Sequence, residues 1–148
     1  MINEKRLMFL HGLEGSSQGF KATLLRKLFP GMVIPDFCGS LSQRMEHLTD
    51  ILLFTHQWIL IGSSFGGLMA GLFASRYPQH VHKLILLAPA LSWPEFRNLQ
   101  EPISVPTILY HGKNDAILPL DVIRPLAEER FSQLLFRCID DDHGLHKT

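Results

Sequence analysis

The sequence has no surplus of charge, few cysteines and no long apolar run before its first polar break, and each lack excludes something. Fourteen Lys+Arg balance 14 Asp+Glu across 148 residues, and charged residues are only 19% of the chain. A nucleic-acid binder or a polybasic membrane-surface protein needs a basic excess that is missing here. Intrinsic disorder is excluded too, because 46% of residues are hydrophobic and no block of like charge occurs. The two cysteines, Cys38 and Cys138, lie far apart and form no C-x-x-C pair. They read as buried or half-buried free thiols in a reducing compartment rather than as a disulfide framework or a four-cysteine metal site. Near the N-terminus the apolar run Leu7–Leu10 is cut off by His11. A signal-peptide core needs about 7–15 apolar residues, so the expectation is a cytoplasmic protein.

One segment does lack charge over a membrane-spanning length, from Ile51 to Ser75. Thr55-His56-Gln57 and Gly62-Ser63-Ser64 interrupt its apolar content, and burying those groups in lipid would be costly. A buried strand, a tight turn and a small-residue helix explain it better.

What is present is a regular alternation of short apolar runs with helix-like stretches. Residues 7–10, 32–35, 58–61, 83–88, 107–110 and 134–139 read as six strands. Phe20, Leu24, Leu25 and Leu28 recur at helical spacing, with Ser17 as the expected N-cap and Pro30-Gly31 as the stop. Ser40 and Gln43 have the form of a capping box that opens a helix to about residue 53. Further helices are expected over 65–77 and 122–131. Continuous apolar strands alternating with helices predict an α/β fold in one domain, residues 1–148, with a mostly parallel sheet covered on both faces.

In such sheets, sites collect at the carboxyl ends of the strands. The third run leads into Gly62-Ser63-Ser64-Phe65-Gly66, a G-x-S-x-G pattern followed at once by a helix. A serine on so sharp a turn takes a strained backbone conformation, and glycines on either side avoid the clashes. The turn exposes the Ser64 hydroxyl and makes the Phe65 N–H a first oxyanion donor. A serine nucleophile needs a base and the base an orienting acid. His143 follows the last strand in Asp140-Asp141-Asp142-His143-Gly144, and Asp115 follows the fifth in His111-Gly112-Lys113-Asn114-Asp115. Asp140, Asp141 and Asp142 compete with Asp115 for the acid, and His146 is the second candidate base.

With the order Ser64, Asp115, His143, the chain from Leu7 to Gly144 resembles the α/β-hydrolase superfamily. HGLEGSS, GSSFGG, HGKND and DDHG look closest to small lid-less serine esterases of the YqiA-like type. The resemblance implies a minimal α/β-hydrolase fold of about six mostly parallel strands without a lid domain. It gives Leu13, after His11-Gly12, the second oxyanion N–H. It further implies two-step acyl transfer on a carboxylic ester or thioester, with no cofactor and no metal.

Residues 89–106 leave no room for a lid, so the cleft should be open; Leu91, Trp93, Phe96, Ile117 and Leu118 either line it or simply cover the sheet. Glu14, beside the oxyanion turn, either faces solvent or disfavours anionic substrates. His11 and His111 are expected to shape their His-Gly turns. Asp142-His143-x-x-His146 has the residue types of a metal site but lacks a third histidine nearby. No P-loop or G-x-G-x-x-G is present. The competing readings are a non-catalytic binding protein on a hydrolase scaffold, and amidase, peptidase or cofactor-free perhydrolase chemistry on the same triad. With only five residues after His143, the closing helix over the last sheet edge has no counterpart, and a homodimer that hides the exposed face is the expected remedy.

Overall fold

The computed structural model describes residues 6–52 and 57–145, so His56 and His146 lie outside the described residues. Five strands, β1 (Leu7–Leu10), β2 (Trp58–Ser63), β3 (Val81–Leu87), β4 (Thr107–Gly112) and β5 (Leu134–Ile139), lie side by side in chain order. Every neighbouring pair is parallel. Parallel neighbours need crossovers, and these contain α1 (Phe20–Leu28), α2 (Leu41–Leu52), α3 (Phe65–Arg76), the single turn α4 (Pro94–Arg97) and α5 (Leu120–Arg130).

The two-residue period of the strands divides the interior into two apolar layers. Met8, Leu10, Leu60, Leu84, Leu86 and Leu109 point to one face, where they meet Met45, Leu48 and Leu52 of α2, most of α3, Phe96 of α4, and Ile123 and Ala127 of α5. Leu7, Phe9 and Ile61 point to the other face and meet Ala22 and Leu25 of α1. Helices therefore lie on both faces, but unequally. Beyond the reach of α1, Ile108 and Tyr110 are only half-buried and Leu135 is 47% exposed.

α3 is the central element. It is apolar all round, and every residue from Phe65 to Ala74 is buried. This helix lies at the heart of the charge-free stretch, yet it has only 12 residues. Among the described residues no helix is long and apolar enough to cross a membrane.

Three expectations from the sequence change here. The run 32–35 is not a strand: it touches β1 through a single bridge, Met8 to Val33, with the Phe9 N–H donating to the Val33 carbonyl at 3.0 Å. Pro35 has no N–H to extend the ladder, and the chain turns away after it. Ser17 does not cap α1, whose N-cap is Gly19. Its N–H and hydroxyl instead donate to Asp36 at 2.6 and 2.8 Å, because a carboxylate is the stronger acceptor partner. Those bonds, from the backbone first and the hydroxyl second, hold the Asp36 carboxyl below its usual range. Cys38 is exposed rather than buried, while Cys138 is half-buried; both are free thiols. The Ser40–Gln43 capping box does form, with Ser40 N–H to Gln43 Oε1 at 2.8 Å and Gln43 N–H to Ser40 Oγ at 3.2 Å.

The unequal covering predicts unequal costs of truncation. Leu84→Ala, at a fully buried position between β2 and β4, should lower unfolding free energy by about 2–5 kcal/mol. Leu135→Ala should cost about 1 kcal/mol or less, because nearly half of that side chain already meets water. Urea titration of the two variants checks the difference.

Candidate active site

All five strands run in one direction, so their carboxyl ends bring the following loops to one edge of the sheet. All five of those loops meet there. β2 runs directly into α3 through Ser64, whose φ of 55° and ψ of −114° lie outside the regions open to ordinary residues. Neighbouring backbone groups hold this strain in place. The Ser64 N–H donates to the Leu87 carbonyl at 2.9 Å, and the Ser64 carbonyl accepts from the N–H groups of Gly67, Leu68 and Ala90. The flanking glycines are required by space. A β-carbon on Gly62 would strike the Gly66 carbonyl, and one on Gly66 would strike the carbonyls of Leu10 and His11.

The Ser64 hydroxyl oxygen is 3.1 Å from His143 Nε2, and His143 Nδ1 is 2.8 Å from Asp115 Oδ2. The Asp115 side chain is fully buried, and its other oxygen accepts the N–H groups of Ile117 and Leu118 at 3.0 and 2.7 Å. A carboxylate oxygen in that position accepts the hydrogen bond of Nδ1–H, which leaves the Nε2 lone pair facing the serine hydroxyl. The three acidic neighbours of His143 are occupied elsewhere. Asp140 accepts from the Asn114 amide, Asp141 from the Asp142 N–H, and Asp142 from the Gly144 N–H.

The loop after β1 sits against the elbow: a β-carbon on Gly12 would lie 3.5 Å from the Ser64 β-carbon. Its Gly12 carbonyl accepts from the Gly15 N–H at 3.1 Å and from His11 Nδ1 at 2.7 Å. The Phe37 N–H donates to His11 Nε2 at 2.9 Å, so the proton is on Nδ1. These bonds orient the peptide whose N–H belongs to Leu13. Phe65 is the first residue of α3, and its N–H is one of the amides that a helix start leaves without an intrahelical acceptor.

An apolar cleft of about 410 Å³ opens over these groups, lined by Gly12, Leu13, Ser64, Phe65, Trp93 and His143, with Glu14, Ile117 and Leu118 also on its wall. The structure thus brings Trp93, Ile117 and Leu118 to the cleft. Leu91 and Phe96 are not there. Both are at most 1% exposed within the main core, where the Phe96 ring packs 5.7 Å from Phe131 and beside Gly71. Pro94 starts the short helix α4 and turns Phe96 inward, a local turn that the apolar pattern alone did not reveal. Among the described residues no three His, Cys, Asp or Glu side chains converge as metal ligands.

Two supporting residues carry no motif of their own. Lys21 of α1 donates to the Gly144 carbonyl and so ties the loop bearing His143 to the opposite layer. Burial lowers the Lys21 ammonium from its ordinary range, and Asp141 and Asp142 partly oppose that shift. Arg44 of α2 donates to the Leu13 carbonyl at 3.3 Å. Both are long side chains on helices, where a sequence pattern reads only as solvated charge.

A family model described as the alpha/beta hydrolase fold matches residues 36–104, a span that holds the elbow but neither Asp115 nor His143. A search of curated proteins finds no match. Among solved structures, an alpha-beta serine hydrolase homologue from Coxiella burnetii is 20% identical with a TM-score of 0.81, covering 99% of this chain and 81% of that one. A putative hydrolase of the alpha/beta superfamily from Xanthomonas campestris pv. campestris is 22% identical with a TM-score of 0.78, covering 95% and 89%. A monoacylglycerol lipase from Paleococcus ferrophilus is 18% identical with a TM-score of 0.73, covering 93% and 85%. The chain has the α/β-hydrolase fold. It is a minimal form, with five parallel strands and only α4 in the connection between β3 and β4, so no lid is inserted there.

His111 gives this region a pH dependence. It is fully buried, its Nε2–H donates to the Leu118 carbonyl at 2.7 Å, and its Nδ1 has no partner among the described residues. Burial lowers its pKa, more than the Leu118 bond and Asp115 raise it. A histidine with a depressed folded pKa binds fewer protons in the native state than when unfolded. Its stabilising effect is therefore complete above the unfolded value of about 6.5 and is lost as pH falls below it. The urea midpoint of the wild type should drop from pH 7.5 to pH 5. His111→Asn should show a smaller drop, measured over the same pH range.

Proposed function

We propose that this protein is a serine hydrolase that cleaves carboxylic esters through an acyl-enzyme intermediate, as a small lid-less esterase. The observation that supports it most is the continuous hydrogen-bonded series from Ser64 through His143 to buried Asp115. In this reading the Ser64 oxygen attacks the ester carbonyl carbon while His143 Nε2 takes the hydroxyl proton. The N–H groups of Leu13 and Phe65 receive the oxyanion. The ester C–O bond then breaks, and His143 returns the proton to the departing alkoxide. Water adds to the acyl-enzyme with the same histidine as base, releasing the acid and restoring Ser64. Asp115 fixes the imidazole tautomer and stabilises the imidazolium.

The cleft also favours one class of ester. Trp93, Ile117 and Leu118 offer an apolar wall for an acyl chain, and Glu14 is the one acidic residue on the lining, which includes no Lys or Arg. A neutral ester with a short acyl chain suits that lining better than an acyl thioester of a polyphosphorylated carrier. The exposed thiol of Cys38 suits a reducing compartment, which supports a cytoplasmic enzyme.

A fluorophosphonate probe should label the wild type at Ser64 and leave Ser64→Ala unlabelled; equal reaction of the two proteins would overturn the reading. Asp115→Asn should lower kcat on p-nitrophenyl butyrate by about 10⁴-fold, since the neutral amide no longer holds the productive tautomer. Against a panel of substrates, kcat/KM should be higher for neutral butyrate esters than for butyryl-CoA. Glu14→Gln should narrow that gap by raising the thioester value alone. A gap that does not change would remove Glu14 from substrate selection.

A further inference from the structure

Arg44 carries a charge that the proposed reaction leaves unused. It stands on α2 and is only 5% exposed. Among the described residues no carboxylate lies within ion-pair distance of it. Its Nε–H donates to the Gly39 carbonyl at 3.0 Å and its Nη2–H to the Leu13 carbonyl at 3.3 Å. The guanidinium lies 5.2 Å from the centre of the Phe65 ring, and that ring packs edge-to-face against Trp93, 5.0 Å between ring centres. Nη1 is buried and has no hydrogen-bond partner among the described residues.

Leu13 and Phe65 are the two residues whose N–H groups receive the oxyanion in the proposed reaction. One buried side chain therefore contacts both residues, Leu13 through its carbonyl and Phe65 through its ring. An uncompensated guanidinium with one donor unsatisfied is expensive to hold in a fold, and an unbranched apolar side chain would fill the same space without that cost. Negative charge that develops at the oxyanion donors would give this guanidinium a counterpart that no described carboxylate supplies at ion-pair distance. In a water-poor interior such a charge acts over several ångströms with little screening.

We propose that Arg44 is a positioning residue for the oxyanion hole: it fixes the Leu13 backbone and the Phe65 ring, and its buried charge favours the anionic tetrahedral intermediate over the neutral ester. The proposal rests on the serine-hydrolase reading above. It differs from a purely structural role in one respect. A structural arginine raises stability, whereas this one holds a destabilising charge for the benefit of the reaction.

The test compares full-length wild type, Arg44→Met and Arg44→Lys on p-nitrophenyl butyrate, with thermal unfolding and the rate of fluorophosphonate labelling at Ser64. Arg44→Met should lose at least tenfold in kcat with KM changed by less than about twofold, because the interaction belongs to the transition state. Its Tm should be equal to or above that of the wild type. Arg44→Lys, which keeps the charge but not the flat fork, should fall between the two in kcat. A kcat within twofold of wild type in Arg44→Met overturns the proposal, as does a loss confined to KM. If Arg44→Met does not fold, Arg44→Lys decides: a kcat at least threefold below wild type at unchanged KM supports the assignment, and a smaller loss overturns it. Equal labelling rates in wild type and Arg44→Met would remove Arg44 while leaving the esterase reading intact. A wild type that does not label at all would remove both.

Discussion

The structure depends on a close approach between two backbones. Gly66, at the start of α3, lies so near the carbonyls of Leu10 and His11 that no side chain fits between them. That contact seats the helix over the sheet centre, with all residues from Phe65 to Ala74 buried. It also brings the end of β1 against the turn after β2, which is why Gly12 stands beside Ser64. The strained φ of Ser64 persists because the bonds on both its N–H and its carbonyl give the backbone no alternative. The place of the elbow beside the loop after β1 thus follows from one steric condition, which the glycine at position 66 satisfies.

A second backbone contact of the same kind holds the far side of the site. A β-carbon on Gly112 would strike the carbonyls of Asp141 and Asp142, so the turn after β4 and the loop after β5 are pressed together. The Asn114 N–H donates to the Asp141 carbonyl at 3.0 Å, and the Lys113 N–H to the Ile139 carbonyl at 2.8 Å. Asp115 and His143 are carried by these two loops. Their 2.8 Å contact is therefore set by main-chain bonds rather than by the side chains finding one another. Such rigidity is what a hydrogen-bonded relay needs, since small misplacements of the groups are costly to chemistry.

The parts of this arrangement visible in the sequence are those governed by local rules. Apolar runs at strand length and helical spacing located β1 to β5 and the long helices, and the Ser40–Gln43 capping box was readable because both partners lie within one turn. Gly62, Ser64 and Gly66 were readable because backbone sterics impose their spacing. Asp115 and His143 stood out as polar residues directly after apolar strands. What was not legible depends on distant partners. Ser17 looked like a cap until Asp36, nineteen positions on, proved the better acceptor. Residues 32–35 have the composition of a strand, but only Val33 finds a ladder partner. Phe96 and Trp93 are three residues apart on one short connection, and only the direction of α4 decides that one enters the core and the other the cleft. The tie of Lys21 to Gly144 has no local signal at all.

The distribution of buried polar groups follows from the same geometry. His11, Ser17, Arg44, His111, Asp115 and Asp141 are all buried, and all belong to the loops at the carboxyl ends of the strands or bond to them. Two of these residues, Arg44 and His111, keep a buried nitrogen without a partner among the described residues. The layers on either side of the sheet are by contrast almost wholly apolar. Hydrophobic burial in those layers offsets the polar cost, most of which gathers at one edge; buried Thr107, at the opposite end of β4, satisfies its hydroxyl locally on the Val105 carbonyl at 2.9 Å. Such segregation lets a short chain hold a strained serine, a buried carboxylate and an unpaired guanidinium together. None of the three would be retained for stability alone, because each raises the free energy of the native state. What they share is a position at the carboxyl ends of the strands, in or directly behind the loops that border one cleft.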